Sequence, residues 1–129
     1  MPFVNLKISM KKSDKMIKAC SEIISAVTSN VLKKKPELIS LVIDFVDPDN
    51  WIIGGSSLSD LGKNSFYLDI TLTDETNTKD QKAEYIKAIF DSLSLLLGDI
   101  HQTSYVYIQD AKATVYGYGG LTQECRYHQ

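Results

Sequence analysis

Pro2 is the residue of this sequence whose position points most directly to chemistry. A small residue at position 2 allows the initiator methionine to be removed, and loss of Met1 would leave Pro2 with a free secondary amine. Such an amine is a base that needs no side chain. Apolar surroundings disfavour its charged form and draw its pKa toward neutrality, where a general base works best. The sequence offers such surroundings. Pro2 opens the apolar alternating run Pro2-Phe3-Val4-Asn5-Leu6-Lys7-Ile8, and Trp51, Tyr116 and Tyr118 stand just ahead of two Gly pairs, where they could wall a pocket. The competing reading of Pro2 is a proline that only starts an edge strand.

Other residue types capable of chemistry lack a pattern. His101 and His128 have no metal-ligand spacing. Asp47, Asp49, Asp74, Glu75 and Asp80 form neither a calcium loop nor a glycosidase pair. There is no phosphate-binding Gly loop and no nucleophile elbow. No cofactor is therefore expected. Cys20 falls on an apolar helical face and Cys125 in a polar stretch, so the two cysteines make no disulfide framework. With a net charge of −2, nucleic acid is not an expected partner. No apolar run reaches the roughly 18 residues of a membrane helix. Lys7, Lys11, Lys12 and Lys15 break any signal-peptide core. A reducing, cytoplasmic setting is the expectation, with no membrane association.

The elements that must position these residues come in two copies. One single-domain chain of 129 residues holds a unit over about 2–55 and a second over about 64–120, followed by a polar tail, 121–129, that carries no motif. Val4, Leu6, Ile8 and Met10 alternate in the first strand; Phe66, Leu68, Ile70 and Leu72 do so 62 positions later. A helix follows in each copy. Ser13 is the expected N-cap of the first, and Thr78 with Gln81 forms a capping-box pattern for the second. Met16, Cys20, Ile23, Ile24, Val27 and Val31 make one apolar stripe; Ala83, Ile86, Phe90, Leu93 and Leu97 make the other, with Gly98 as the stop. Returning strands are predicted over 39–46 and 104–110. Each copy ends in an aromatic residue and a Gly pair, Trp51 to Gly55 and Tyr116 to Gly120, 65 positions apart. A longer loop, 73–77, separates strand from helix in the second copy.

Two β-α-β units related by a pseudo-twofold give a four-stranded sheet with two helices on one face, a two-layer α+β domain. Val42 and Ile43, and Val106 and Ile108, are read as putting apolar residues on both faces of the sheet. The uncovered face then wants a partner, and self-association supplies one.

Pro2, the β-α-β repeat and the aromatic-Gly-Gly ends together resemble the tautomerase superfamily, over nearly the whole chain. The resemblance implies a homotrimer with the bare sheet faces packed around a threefold axis, and a terminal proline in a pocket near a subunit boundary. Two branches are similar. Gly54-Gly55-Ser56-Ser57 and Val106-Tyr107-Ile108-Gln109 resemble segments of the macrophage migration inhibitory factor family. On that likeness Tyr107 and Gln109 take the places of its pocket tyrosine and asparagine. Lys34 falls near its pocket lysine, in a run with Lys33 and Lys35 that leaves the register open by one. Asn50-Trp51-Ile52-Ile53-Gly54-Gly55 resembles the cis-3-chloroacrylic acid dehalogenase family, but that family's helix histidine falls near Val31, its loop arginines near Asp74 and Asn77, and its water-activating glutamate near Tyr116. The 4-oxalocrotonate branch also uses a loop arginine, and the only arginine here is Arg126. A dicarboxylate held by bidentate arginine contacts is disfavoured.

The resemblance thus implies a cofactor-independent keto–enol tautomerase of small, phenylpyruvate-like 2-keto acids. Pro2 would be the base and Tyr107 a proton donor or hydrogen-bond partner. Lys34 and Gln109 would contact substrate, and Trp51 and Tyr116 would wall the pocket. Two alternatives stand beside it: a hydratase, dehalogenase or decarboxylase on unsaturated acids, and a non-catalytic trimeric binding protein.

Overall fold

A computed structural model describes residues 1–128. The first unit is β1 (Phe3–Ile8), α1 (Asp14–Leu32) and β2 (Ser40–Phe45). A hairpin of β3 (Ile52–Ile53) and β4 (Ser56–Ser57) closes it and runs into a single helical turn, α2 (Leu58–Leu61). The second unit repeats the order with β5 (Phe66–Thr73), α3 (Lys79–Leu97) and β6 (Tyr105–Ala111). It closes with a hairpin of β7 (Gly117–Tyr118) and β8 (Leu121–Thr122) and a short helix, α4 (Gln123–Tyr127).

The main sheet has the order β2-β1-β5-β6. β1 and β2 are parallel, as are β5 and β6, while the central pair β1 and β5 is antiparallel with Leu6 opposite Leu68. This is the expected pair of β-α-β units about a pseudo-twofold. Its consequence for the site is simple. The start of β1 and the end of β5 lie at one end of the sheet; the end of β1 and the start of β5 lie at the other.

The helix termini follow from their capping residues. The Ser13 hydroxyl accepts from the Met16 amide at 3.2 Å. Thr78 and Gln81 make a complete capping box. Both Gly-Gly turns have positive φ at each glycine (61° and 85° at Gly54 and Gly55, 61° and 82° at Gly119 and Gly120), which two-residue hairpins demand and side chains resist.

The core lies between the sheet and the two long helices. Val4, Leu6, Ile8, Phe66, Leu68, Ile70 and Leu72 are all fully buried. The helix faces that meet them hold most of the expected stripes, with Met16, Val27, Val31, Phe90 and Leu97 packed against the core, and add residues outside them. α1 buries Cys20, Ile24, Thr28 and Leu32; α3 buries Tyr85, Ile89 and Leu93, while Ile86 is exposed. Two of the added residues form a buried polar pair. Thr28 Oγ1 and Tyr85 Oη hydrogen-bond at 2.8 Å between the helices, each satisfying the other. That lets two polar-capable residues occupy the centre of an interface where apolar ones were expected.

Two further expectations are corrected. Val106 and Ile108 do not lie on opposite faces: both face the helices, and β6 presents Tyr105 and Tyr107 on the uncovered side, at 59% and 50% exposure. That face carries Phe3 and Val42 as well, but also the Asn5–Asp69 hydrogen bond and the Lys7–Asp44 ion pair, so it is mixed rather than purely apolar. The stretch after Gly120 is not a featureless tail. Thr122 caps α4 through the Cys125 amide at 3.0 Å, as Ser57 caps α2 through Asp60. Arg126 stacks 3.8 Å from the Tyr118 ring centroid and donates to the Tyr118 carbonyl at 2.8 Å. The repeat therefore continues through a hairpin and short helix in both copies. Among the described residues no helix is long and apolar enough to cross a membrane.

Candidate active site

Pro2 is buried just ahead of β1, on the same side of the sheet as Val4, and its carbonyl accepts from the Ser40 amide at 3.1 Å. Around it lie the end of β5, the end of β6, the C-terminus of α1 and the loop leading into α3.

Each neighbour is placed by a local cause. α1 ends because Lys33 takes the left-handed conformation, φ 59°, with Pro36 soon after. The Lys34 ammonium then donates to Thr76 Oγ1 at 2.9 Å. Asn77 ties the same loop down by donating to the Leu32 carbonyl at 2.8 Å, one of the carbonyls the helix end leaves open. The Asp74 amide donates to the Ala111 carbonyl at 2.7 Å, fastening the loop to the end of β6. Tyr116 comes from the turn before β7. Its hydroxyl donates to the Met1 carbonyl at 2.6 Å and lies 3.3 Å from the Thr71 carbonyl.

The electrostatics follow from partial burial. The amino group of Met1 is held below its ordinary 8.0, chiefly by desolvation and secondarily by the charge of Lys34. Lys34 is itself held below the usual lysine range by burial, with Asp110 acting the other way. Burial raises the Tyr116 phenol, with the Phe3 backbone opposing. A partly buried lysine and a tyrosine hydroxyl thus stand at the chain terminus. While Met1 is attached, the Pro2 nitrogen is an amide and has no basicity.

The structure brings Lys34 and Tyr116 to the Pro2 end. Tyr107 and Gln109 lie on the uncovered face of β6, Tyr107 opposite Asp69 and Gln109 opposite Thr71, whose hydroxyl is 3.3 Å from the Gln109 amide oxygen. Within one chain Tyr107 faces away from the side on which Pro2 is buried. Trp51 is at the other end of the sheet. It joins Ile52, Gly54, Tyr67, Thr103 and Tyr105 around a cleft of about 400 Å³. The pseudo-twofold explains this: Trp51 and Tyr116 hold equivalent places in the two copies and so sit at opposite ends.

Two charged residues of the Pro2 end were not singled out from sequence. Asp110, the last but one residue of β6, pairs with Lys82 of α3 at 2.5 Å. Their separation of 28 positions on different elements gave no local signal, although Lys82 stands on the turn after the capping box. Beside them a cleft of about 680 Å³ is lined by Asp74, Glu75, Thr76, Lys112, Glu124 and His128, among others. Among the described residues, no group of three or more His, Cys, Asp or Glu is placed to hold a metal ion.

No family model matches the chain. A curated protein, "Probable tautomerase K2" of Dickeya dadantii (strain 3937), is 36% identical over 63 residues, spanning 46% of this chain and 91% of that protein. The match is about as long as one β-α-β copy. Among solved structures, a wild-type fused 4-OT described as a symmetric trimer aligns with a TM-score of 0.83 at 18% identity, over 96% of this chain and 98% of that one. A malonate semialdehyde decarboxylase inhibited by 3-bromopropiolate aligns with a TM-score of 0.76 at 14% identity, over 98% and 97% of the two chains. At these identities the two structures speak to the fold.

Proposed function

The chain belongs to the tautomerase superfamily of isomerases, and we propose that it is a cofactor-independent keto–enol tautomerase of small 2-keto acids, using the Pro2 nitrogen freed by loss of Met1 as general base. The observation that carries this reading is the Tyr116 hydroxyl on the Met1 carbonyl. Loss of Met1 exposes the Pro2 amine where that hydroxyl already points. The new amine would stand beside the same burial and Lys34 charge that lower the Met1 amine, and both favour its neutral, basic form.

In the keto-to-enol direction the Pro2 nitrogen takes a proton from the carbon next to the carbonyl. The C–H electron pair moves into the new C=C bond, and the carbonyl pair moves onto oxygen. A proton reaches that oxygen, and the reverse direction returns it to carbon. Lys34 holds the carboxylate, and Tyr116 walls the pocket and donates to oxygen. We assign Tyr107 and Gln109 a role across a subunit boundary, in a homotrimer that covers the half-exposed face of β6. The description of the fused 4-OT neighbour as a trimer supports that assembly. Trp51 would then contribute, if at all, from another subunit. Hydration needs a carboxylate to activate water, and Asp110 is engaged by Lys82.

The test is intact mass of the untagged protein paired with ketonisation of phenylenolpyruvate. Loss of Met1, turnover, and a fall of about 10²–10⁴-fold in Pro2→Ala are expected. An unchanged rate in Pro2→Ala rejects the proline base.

A further inference from the structure

We propose that Asp110 sets the charge selectivity of the Pro2 site: by holding Lys82 it confines the site to acids with one carboxylate, and without it Lys82 becomes a second anchor for a dicarboxylate. The inference rests on the keto-acid reading of the same site. Two lysines flank Asp110. Lys82 pairs with it at 2.5 Å, both side chains being about seven-tenths buried. Lys34 feels its charge from the C-terminal end of α1 and bonds Thr76 rather than a carboxylate. Lys34 is therefore the cation left for a ligand, while Lys82 is neutralised. The rest of that end is acidic on balance, with Lys112 the one lysine among three carboxylates lining the adjoining cleft. The loop fastened to β6 supplies Asp74 and Glu75, and Glu124 adds a third carboxylate to the adjoining cleft. Arg126 is committed to the Tyr118 carbonyl and ring. A monoanion needs only Lys34. A dianion must bring its second carboxylate toward a lysine already paired and toward a field of acidic groups, at a cost in both desolvation and repulsion.

The test compares two acids with the same five-carbon chain, 2-oxopentanoate and 2-oxoglutarate, which differ by one terminal carboxylate. Their affinities for the Met1-free protein are measured by calorimetric titration in wild type, Asp110→Asn, Lys82→Met and the double variant. Asp110→Asn is expected to shift the affinity ratio toward 2-oxoglutarate by about tenfold, equivalent to about 1.4 kcal/mol, and Lys82→Met in that background is expected to abolish the gain. A ratio unchanged by Asp110→Asn overturns the proposal. So does a gain that survives Lys82→Met, since it would then report overall charge rather than this pair. Absence of binding of either acid to both wild type and Asp110→Asn also overturns it. The readout is affinity, so loss of turnover alone counts against the proton-transfer chemistry and not against Asp110.

Discussion

The Tyr116 hydroxyl and the Met1 carbonyl, 115 positions apart in sequence, share a 2.6 Å hydrogen bond. The bond ties the closing turn of the second copy to the first residue of the first. It also sets a hydroxyl beside the Pro2 nitrogen that loss of Met1 would free.

Removing Met1 removes the acceptor of that bond and leaves the hydroxyl with the Thr71 carbonyl at 3.3 Å, and on the proposed function it would turn to a substrate oxygen. Tyr116→Phe in the Met1-free protein keeps the aromatic wall but loses the donor. We expect kcat to fall about ten- to a hundredfold, with little change in thermal stability. Steady-state kinetics beside a melting curve checks this. A rate within twofold of wild type would reduce Tyr116 to packing.

The pH dependence should carry the mark of Lys34. A proline base works only when neutral, so kcat/KM should rise with pH to a plateau, with an inflection lowered by the burial and the Lys34 charge that lower the Met1 amine. Lys34 disfavours protonation of the amine, so Lys34→Met should move the inflection to higher pH and raise KM for the acid. A pH–rate profile of both proteins reads the direction of the shift.

Gly117 leads from Tyr116 into β7, and a Cβ built on it would lie 2.0 Å from the Leu121 carbonyl oxygen. Since that atom is backbone, Gly117→Ala must open the β7–β8 hairpin. Activity should fall by well over tenfold through misplacement of Tyr116, while the melting temperature moves by only a few degrees, because the hairpin lies outside the main core. Equal loss of fold and activity would contradict this separation.

The Thr28–Tyr85 pair gives a stability prediction independent of function. Thr28→Val leaves the Tyr85 hydroxyl buried without a partner and should cost about 1–3 kcal/mol, whereas adding Tyr85→Phe should recover much of it. Denaturant unfolding of the two single variants and the double variant measures the coupling.

Alkaline pH should expose the same core. Burial raises Tyr85 from 10.0 to about 12 and Cys20 from 9.0 to about 11. The folded state keeps protons the unfolded state has lost, so stability is intact below pH 9 and falls between pH 9 and 12. Each group contributes a slope of at most ~1.4 kcal/mol per pH unit. Tyr85→Phe should flatten the upper part of that fall, as urea midpoints measured across the range would show.

How much of this was legible in the sequence differs by residue. The repeat, the Ser13 and Thr78 caps and the Gly-Gly turns could be read directly, because each depends on contacts within a few positions. The helix faces were misread where Thr28 and Tyr85 satisfy each other, since a hydrogen bond across 57 positions has no local trace. The stretch after Gly120 was misread because α4 is only five residues long and held by one cap and one arginine. At the candidate site, the place of Pro2 follows from its position before β1. The sheet sides taken by Tyr107 and Gln109, and the opposite ends taken by Trp51 and Tyr116, depend on strand order and the pseudo-twofold. Asp110 and Lys82 meet only because α3 crosses the end of β6.

The pseudo-twofold has an evolutionary consequence. A base made from the beginning of a chain cannot be copied by duplicating the chain. Asn64, which stands 62 positions after Pro2 and is its counterpart in the second copy, is joined through an ordinary peptide bond to Lys63 and presents no amine. The Trp51 end of the sheet repeats the architecture of the Tyr116 end without a chain terminus beside it. A fusion of two such units therefore halves the number of possible reactive centres per fold. At the equivalent turns the two halves differ in sequence, Trp51-Ile52-Ile53 against Tyr116-Gly117-Tyr118.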